Sequence, residues 1–444
     1  MSNPARPRLL QPRAAAIEED AVSLTRREFV KWMAASTGVA AVAGCADMGV
    51  GGAGRVVVIG GGFGGATCAR YVKVWAPDID VTLVERNSTF VSCPISNLVL
   101  GGNTTMDSIT MSYEGLKRRG VRVVRDEVVA IETTARQVRL ASGGTLPYDR
   151  LVVSPGIDFM LDKVPGLRSA EAQMRVPHAW KAGEQTVILR KQLEAMRDGG
   201  VYVFHVPLSP YRCPPGPYER VCQVADYFKR AKPRSKIIVL DSNPDIVSKK
   251  GLFLQSWNGV YKGMIDYRPN SELEDIDVRG MTVKLTFDSV KGDVLNVVPP
   301  QRAGDIAVKA GLVTANQRWC GVDWRSLEST AVKGVHVLGD ATVSAPGMPK
   351  SGSMANQHGK IAAAAIVALL AGRPVNRHPV IMNACYSFVD GQSAMHVTSV
   401  HKFDAAKNTM VAVKGAGGVS KKASVEEGNY AWGWARNIWG DALG

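Results

Sequence analysis

The stretch "RVVVIGGGFGGATCARYV", residues 55–72, decides the fold. Four apolar β-branched residues run into a glycine-rich turn and then into a segment with helical periodicity. Gly60, Gly62 and Gly65 occupy the three places of a GxGxxG turn. The tight turn, the close approach of a pyrophosphate and the packing of helix on strand each call for a residue without a Cβ. The start of the helix then offers unpaired N–H groups to phosphate oxygens. Working outward, "DVTLVERN" supplies a second strand whose last residue, Glu85, stands 20 residues beyond Gly65. A carboxylate at that place accepts hydrogen bonds from a ribose hydroxyl. Strand, glycines, helix, strand and terminal acid together predict a dinucleotide-binding domain.

Two later segments favour FAD over NAD at this first site. "YDRLVVSPG", 148–156, reads as an apolar strand ending in Pro-Gly, the return crossover of flavoproteins with two dinucleotide-binding units. "KGVHVLGDATV", 333–343, ends its strand at Gly339-Asp340 and resembles the second flavin motif, whose aspartate bonds the ribityl chain. The segment "GMPKSGSMANQHGKIAAAAIVALLAG" follows as a helix whose start faces the flavin's pyrimidine edge in this reading. The flavin domain is therefore discontinuous, 55–175 and 300–378.

Between its halves, residues 176–299 carry a second strand–turn–helix. "GVYVFHVP" reads as a buried strand, and "PYERVCQVADYFKRA" has the spacing of an amphipathic helix. The turn between them, "LSPYRCPPGP", holds four prolines around Cys213 where glycines are expected. Proline has no N–H to hold a phosphate, and its ring blocks close approach of the backbone. The second unit thus keeps the fold of a nicotinamide site without its chemistry, and NAD(P)H is not expected as a substrate. The fold class expected is α/β, with two Rossmann-like units in a glutathione-reductase-like arrangement. A small α+β C-terminal domain, 379–444, completes it.

Composition sets the limits. The chain has 444 residues, 45% of them hydrophobic and 21% charged, as in ordinary globular proteins. Its formal charge is +14, of which about +12 lies beyond residue 45, enough to attract an anionic ligand or an acidic partner. No block of Lys/Arg is interleaved with aromatics, so nucleic acid is not expected as a partner. Residues 1–45 read as an export segment. Arg26 and Arg27, with Phe29 and Lys31, form a twin-arginine pattern ahead of a short apolar stretch. "VAGC" at Cys45 reads either as a lipoprotein cleavage box or as sequence beside an ordinary cleavage near "AVA". The location expected is the periplasm, with membrane attachment only if Cys45 carries lipid.

The seven cysteines show no CxxC, no CxxCH and no zinc spacing, so neither covalent haem nor a metal site is expected on this chain. Three sit in unusual settings: Cys93 in "FVSCPISN", Cys213 in the proline turn and Cys385 in "IMNACYSFVDG". Cys68, Cys222 and Cys320 read as core packing, although Cys222 lies one helical turn beyond Glu219.

Here the motifs become specific. "SCPISN…LGG", "PHAWKAGEQT", "RCPPGPYER", "NVVPPQRAG", "GVHVLGDA", "MPKSG" and "NACYS" occur in order between about 55 and 390. Together they resemble the flavoprotein subunit of flavocytochrome c sulfide dehydrogenase. The resemblance implies FAD joined covalently through Cys93 and a redox-active disulfide between Cys213 and Cys385. It also implies an acid/base carboxylate at Glu219 and a c-type cytochrome subunit as electron acceptor. Pro94-Ile95 departs from the family pattern, where larger or aromatic residues are expected. A disulfide suits sulfide chemistry, since attack by HS⁻ gives a persulfide and frees a thiolate. Arg212 and Lys350 are the cations expected near these sulfurs and the cofactor. Glu219 reads equally as a helix-start carboxylate favoured by the helix dipole or as a buried acid that exchanges protons with sulfide. The tail "NYAWGWARNIWGDALG" carries Trp432, Trp434 and Trp439, which suit either an interface or packing on their own domain, the second weighing slightly more. The competing readings are a sulfide:quinone oxidoreductase and a non-enzymatic binding subunit on a degenerate flavoprotein fold.

Overall fold

The computed structural model describes residues 54–444. The export segment expected over 1–45, with Arg26, Arg27 and Cys45, lies outside the described residues.

The Val-rich run forms β1 (Arg55–Ile59), buried from Val56 onward. Strands enclosed by helices on both faces have no solvent side, so an unbroken apolar run replaces alternation. The chain continues through α1 (Phe63–Trp75), β2 (Asp80–Glu85), β3 (Arg122–Arg125) and β4 (Arg150–Val153). It then leaves this sheet for the insert: β5 (Val201–Val206), α2 (Gly216–Ala231), β6 (Lys236–Asp241), β7 (Ile265–Arg268) and β8 (Val294–Val297). It returns with β9 (Val335–Val337) and α3 (Gly352–Leu370). A meander, β10 (Val380–Phe388), β11 (Ala394–Asp404) and β12 (Thr409–Val419), and a last helix, α4 (Val425–Leu443), close the fold.

Two parallel sheets result. In the first, β1 pairs with β2 and β4, β2 pairs with β3, and β4 pairs with β9, all parallel. Short antiparallel strands at 322–323 and 328–329 extend its far edge. In the second, β5 lies between β6 and β8, with β7 outside β6, again all parallel. The antiparallel sheet β10-β11-β12 and α4 form the C-terminal part. The architecture is the α/β, glutathione-reductase-like one expected.

Small residues fix how closely the layers approach. On α1, Gly64 and Cys68 meet Gly359 of α3, where an added Cβ would stand 2.6 Å from the Gly64 carbonyl oxygen. Cys68 is fully buried there, a core residue. The helix that reads as amphipathic, α2, departs from expectation, since twelve of its sixteen residues are buried. Its polar face is covered by the short helix Ser96–Gly101 and by β10, so polar side chains that periodicity assigns to solvent face the interior instead.

Candidate functional site

A cleft of about 590 Å³ opens at the C-terminal ends of the first sheet's strands. It falls in the size range of small-molecule and cofactor sites. Gly60 takes φ +94°, and a Cβ there would stand 2.3 Å from the Ser154 carbonyl oxygen. At Gly65 a Cβ would stand 1.9 Å from the carbonyl oxygen of Gly60 itself. These two glycines let the turn close on the sheet. At Gly62 the added Cβ would meet nothing within 4 Å, because that position faces the open cleft. Gly61 N–H donates to Glu85 Oε2 at 2.7 Å, and Asn87 holds Oε1 through its N–H at 2.8 Å and its Nδ2 at 2.7 Å. The strand-end acid is thereby fixed at the rim of the turn.

On the opposite wall, Gly339 takes φ +72° and begins a single turn that carries Asp340 into the cleft. The Asp340 carboxylate accepts no hydrogen bond from any described residue. Burial pushes its carboxyl upward, and the charges of Arg212 and Lys350 oppose that shift. An unpartnered acceptor aimed into a cleft is what a ribityl hydroxyl would satisfy. Ser351, which caps α3 by accepting from Met354 N–H at 3.0 Å, lines the cleft with Gly352 and Ser353. A phosphate-approach turn, a rim acid, an unpaired aspartate and a helix start therefore fit a dinucleotide flavin.

The sulfurs reach this cleft from three separate elements. Cys93 lies just before the short helix Ser96–Gly101, whose entry is set by Ile95 at φ 75°. That left-handed conformation is one a β-branched residue avoids. Cys93 Sγ accepts from Arg212 Nη2 at 3.3 Å and from Ala182 N–H at 3.5 Å. The Arg212 guanidinium also bonds the Trp180 carbonyl. Cys213 sits at φ 60° in the proline turn, with its N–H donating to the Lys350 carbonyl at 2.8 Å. Trp180 Nε1 braces the same turn through the Arg212 carbonyl at 3.1 Å. Cys385 comes from β10 and is buried, whereas Cys213 is half-buried. Both sulfurs line the same cleft. Burial pushes both thiols upward; Arg212 and Lys249 oppose the rise at Cys213, and Lys249 with Asn383 and Ser351 opposes it at Cys385.

Glu219 is 7% exposed and lines the same cleft. Its Oε2 accepts from Asn97 Nδ2 at 2.8 Å and its Oε1 from Phe388 N–H at 2.8 Å. Burial raises its carboxyl above the ordinary range, against the pull of those bonds and of Lys249 and Arg220. Of its two readings, the buried acid describes its surroundings. Lys350 is placed differently from expectation. Its side chain turns behind the cleft wall to the carbonyls of Asp340 and Thr342, with Nζ 3.7 Å from the Trp319 ring centroid. What it lends the proline turn is its backbone carbonyl.

Three contributors are not singled out in the sequence, although Asn97 ends the "SCPISN" motif and Arg220 the "RCPPGPYER" motif. Asn97 holds Glu219. Arg220 joins Asn97 Oδ1 (3.1 Å), His178 O (2.8 Å) and Asn296 Oδ1 (2.9 Å), tying the second sheet to the short helix Ser96–Gly101. Lys249 reaches β10 from a loop beyond β6. Cys222 and Cys320 are buried core residues, Cys222 accepting from Trp257 Nε1 at 3.2 Å. The tail packs on its own chain: Trp439 Nε1 donates to Ser92 Oγ at 2.9 Å, and Trp434 lines the cleft 6.0 Å from the Tyr386 ring.

Comparison with known proteins gives this geometry a family. Residues 186–299 match the central region of the "Sulfide dehydrogenase [flavocytochrome c] flavoprotein chain", and 377–443 match "Flavocytochrome c sulphide dehydrogenase, flavin-binding". Residues 54–192 match "Pyridine nucleotide-disulphide oxidoreductase". The sulfide dehydrogenase flavoprotein chain of Chlorobaculum thiosulfatiphilum is 60% identical over 45 residues, 10% of this chain and 94% of that one. The chain belongs to the flavocytochrome c sulfide dehydrogenase flavoprotein family. It is also similar to the mitochondrial sulfide:quinone oxidoreductase of Mus musculus, 24% identical over 345 residues and 73% of each chain. The solved sulfide:quinone oxidoreductase of Aquifex aeolicus superposes with a TM-score of 0.71 at 18% identity, over 88% of this chain and 92% of that one. The family makes this an FAD-dependent sulfide-oxidising flavoprotein.

Proposed function

We propose that the chain is the flavoprotein of a periplasmic sulfide dehydrogenase that hands electrons to a c-type cytochrome. In this reading HS⁻ attacks a Cys213–Cys385 disulfide, and sulfur leaves as elemental sulfur or polysulfide. The observation that carries it is the convergence of Cys213, Cys385 and Glu219 on one cleft from a proline turn, a strand and a helix start. Cys93, which lines the same cleft, is the residue for covalent attachment of FAD. Its sulfur already accepts from two donors, Arg212 Nη2 and Ala182 N–H.

FAD, when bound, supplies a two-electron acceptor that can release electrons singly. Gly60, Gly62 and Gly65 would take its pyrophosphate, Glu85 and Asp340 its hydroxyls, and the start of α3 its ring. The protein's own groups do the rest. The positive surroundings of Arg212 and Lys249 draw in HS⁻. Glu219, raised by burial, takes a proton from H₂S or returns one to the product. The proline turn fixes Cys213 and offers no phosphate cradle, which supports sulfide rather than NAD(P)H as reductant. Export to the periplasm rests on the twin-arginine pattern at Arg26-Arg27, and lipid at Cys45 would add attachment to a membrane.

Non-reducing peptide mass spectrometry of the isolated protein tests the site. The expected result is a Cys213–Cys385 cross-link and a flavin adduct on the Cys93 peptide. A free Cys213 thiol in the oxidised enzyme rejects the reading. The acceptor is tested in turnover: reduction of a c-type cytochrome is expected, and sulfide-driven reduction of quinone alone would assign the chain to the chemistry of its quinone-linked relatives.

A further inference from the structure

Lys249 precedes the helix Lys250–Asn258 at φ 54°, and its side chain runs inward. Only 8% of the residue is exposed. Its Nζ donates to the Cys385 carbonyl at 3.2 Å, to Ser387 Oγ at 2.8 Å and to the Met395 carbonyl at 3.3 Å. An ammonium has three protons, and here each meets a neutral acceptor. No carboxylate among the described residues comes within salt-bridge distance, so the charge acts outward on its surroundings. The groups that feel it are Cys385, Glu219, Cys213 and Glu427. Burial lowers its pKa to about 8, which leaves it largely protonated at neutral pH.

The two cysteines are therefore not equivalent. Cys385 has a buried cation bonded to its own carbonyl. Its Sγ donates to Asn383 Oδ1 at 3.3 Å, the same oxygen that Ser351 Oγ approaches at 2.8 Å. Cys213 has Arg212 as its neighbour in the chain, but that guanidinium is turned to Cys93 and the Trp180 carbonyl. Access runs the other way, because Cys213 is half-buried and Cys385 is buried. In thiol–disulfide exchange the accessible sulfur is attacked and the better-stabilised thiolate leaves. We propose that Lys249 sets the direction of sulfur transfer: HS⁻ attacks Sγ of Cys213, which becomes the persulfide, and Cys385 departs as a thiolate balanced by the Lys249 ammonium. One S–S bond breaks and one forms. The proton of HS⁻ stays on the new terminal sulfur, the bonding pair and the negative charge pass to Cys385, and no oxidant is needed. Lys249 is a positioning residue that keeps its protons throughout.

The inference rests on the disulfide reading above, and two measurements separate the two. In the oxidised holoenzyme, anaerobic sulfide followed by a rapid iodoacetamide quench and peptide mass spectrometry should place one extra sulfur on the Cys213 peptide. Cys385 should be alkylated without it. Extra sulfur on Cys385 instead overturns the proposal. In the reduced enzyme, which needs neither sulfide nor a bridge, alkylation should reach half its limiting rate at lower pH for Cys385 than for Cys213. Lys249→Gln should raise the Cys385 midpoint by about one pH unit, the weight of one neighbouring charge, and Lys249→Arg should restore it. An unmoved Cys385 midpoint in folded Lys249→Gln protein overturns the assignment. If that variant does not fold, the wild-type position of the extra sulfur decides alone. Absence of the bridge in the oxidised enzyme would break the functional reading instead, and the reduced-state profile would still report on Lys249.

Discussion

The two strand–turn–helix crossings, β1 to α1 and β5 to α2, use one geometry for opposite ends. In the first, three glycines (60–62) join strand to helix, and Gly62 leaves the backbone open to the cleft. In the second, nine residues (207–215) intervene, and their backbone is already engaged. Cys213 N–H is held by the Lys350 carbonyl, and Gly216 N–H by the Cys213 carbonyl at 2.9 Å. A crossing of this kind places something at the C-terminal end of a parallel strand, and the turn residues decide what. Glycines present bare backbone to a phosphate; prolines present a single side chain, fixed in place.

The largest effect is expected at the proline turn. Cys213→Ser should lower sulfide-dependent bleaching of the flavin by about 10³-fold or more, as loss of an essential reacting group does, with flavin content unchanged. Stopped-flow absorbance reads this, and a variant keeping a tenth of wild-type activity would remove Cys213 from the chemistry. Gly65→Ala sharpens the other half. Its methyl would stand 1.9 Å from the Gly60 carbonyl oxygen, so a loss of about 3 kcal/mol or more is expected from overpacking against backbone. The purified variant should carry little flavin and melt early. Pro214→Ala, at the equivalent turn, should retain its flavin.

Next comes Glu219→Gln, expected to lower kcat about 10²-fold, the usual weight of general acid–base catalysis. Its stability should move the other way. Burial raises the Glu219 carboxyl, so the folded chain holds that proton more tightly than the unfolded one. Stability from this group is thus present below the ordinary carboxylate pKa and is lost as pH rises through the raised value. Glutamine removes that loss, and thermal midpoints at pH 5 and pH 7 should lie closer together than in wild type. The smallest effect expected is none. Millimolar NADH should leave the flavin oxidised over minutes, and bleaching would mean that the proline turn admits a nicotinamide after all.

How much of this could be read from the chain depends on whether chemistry and local pattern coincide. Gly60, Gly65, Glu85 and Asp340 stand at fixed places around strand ends, where turn geometry limits the residue type, and the two parallel sheets follow from unbroken apolar runs such as "RVVVI" and "VYVFHV". Lys249 has no such signal. In "IVSKKG" it looks like its exposed neighbour Lys250, and only the approach of β10 from residues 380–388 makes it a buried cation. Asn97 and Arg220 stand inside quoted motifs, but their roles are hidden for the same reason, since their partners lie 42 to 123 residues away. Lys350 erred in the opposite direction: its motif was visible, but the Trp319 ring captures its side chain.

The bond from Trp439 to Ser92 has a consequence for synthesis. It spans 347 residues, and it braces the loop of Cys93 from the last helix. The cleft likewise takes walls from Ile59 to Trp434. A ribosome adding about 5–20 residues per second makes the glycine turn tens of seconds before the tryptophans that complete its surroundings. The glycine end of the cleft can therefore form early on the nascent chain, while the end walled by Trp434 must wait for almost the whole polypeptide. A finished cleft is thereby tied to completion of the chain.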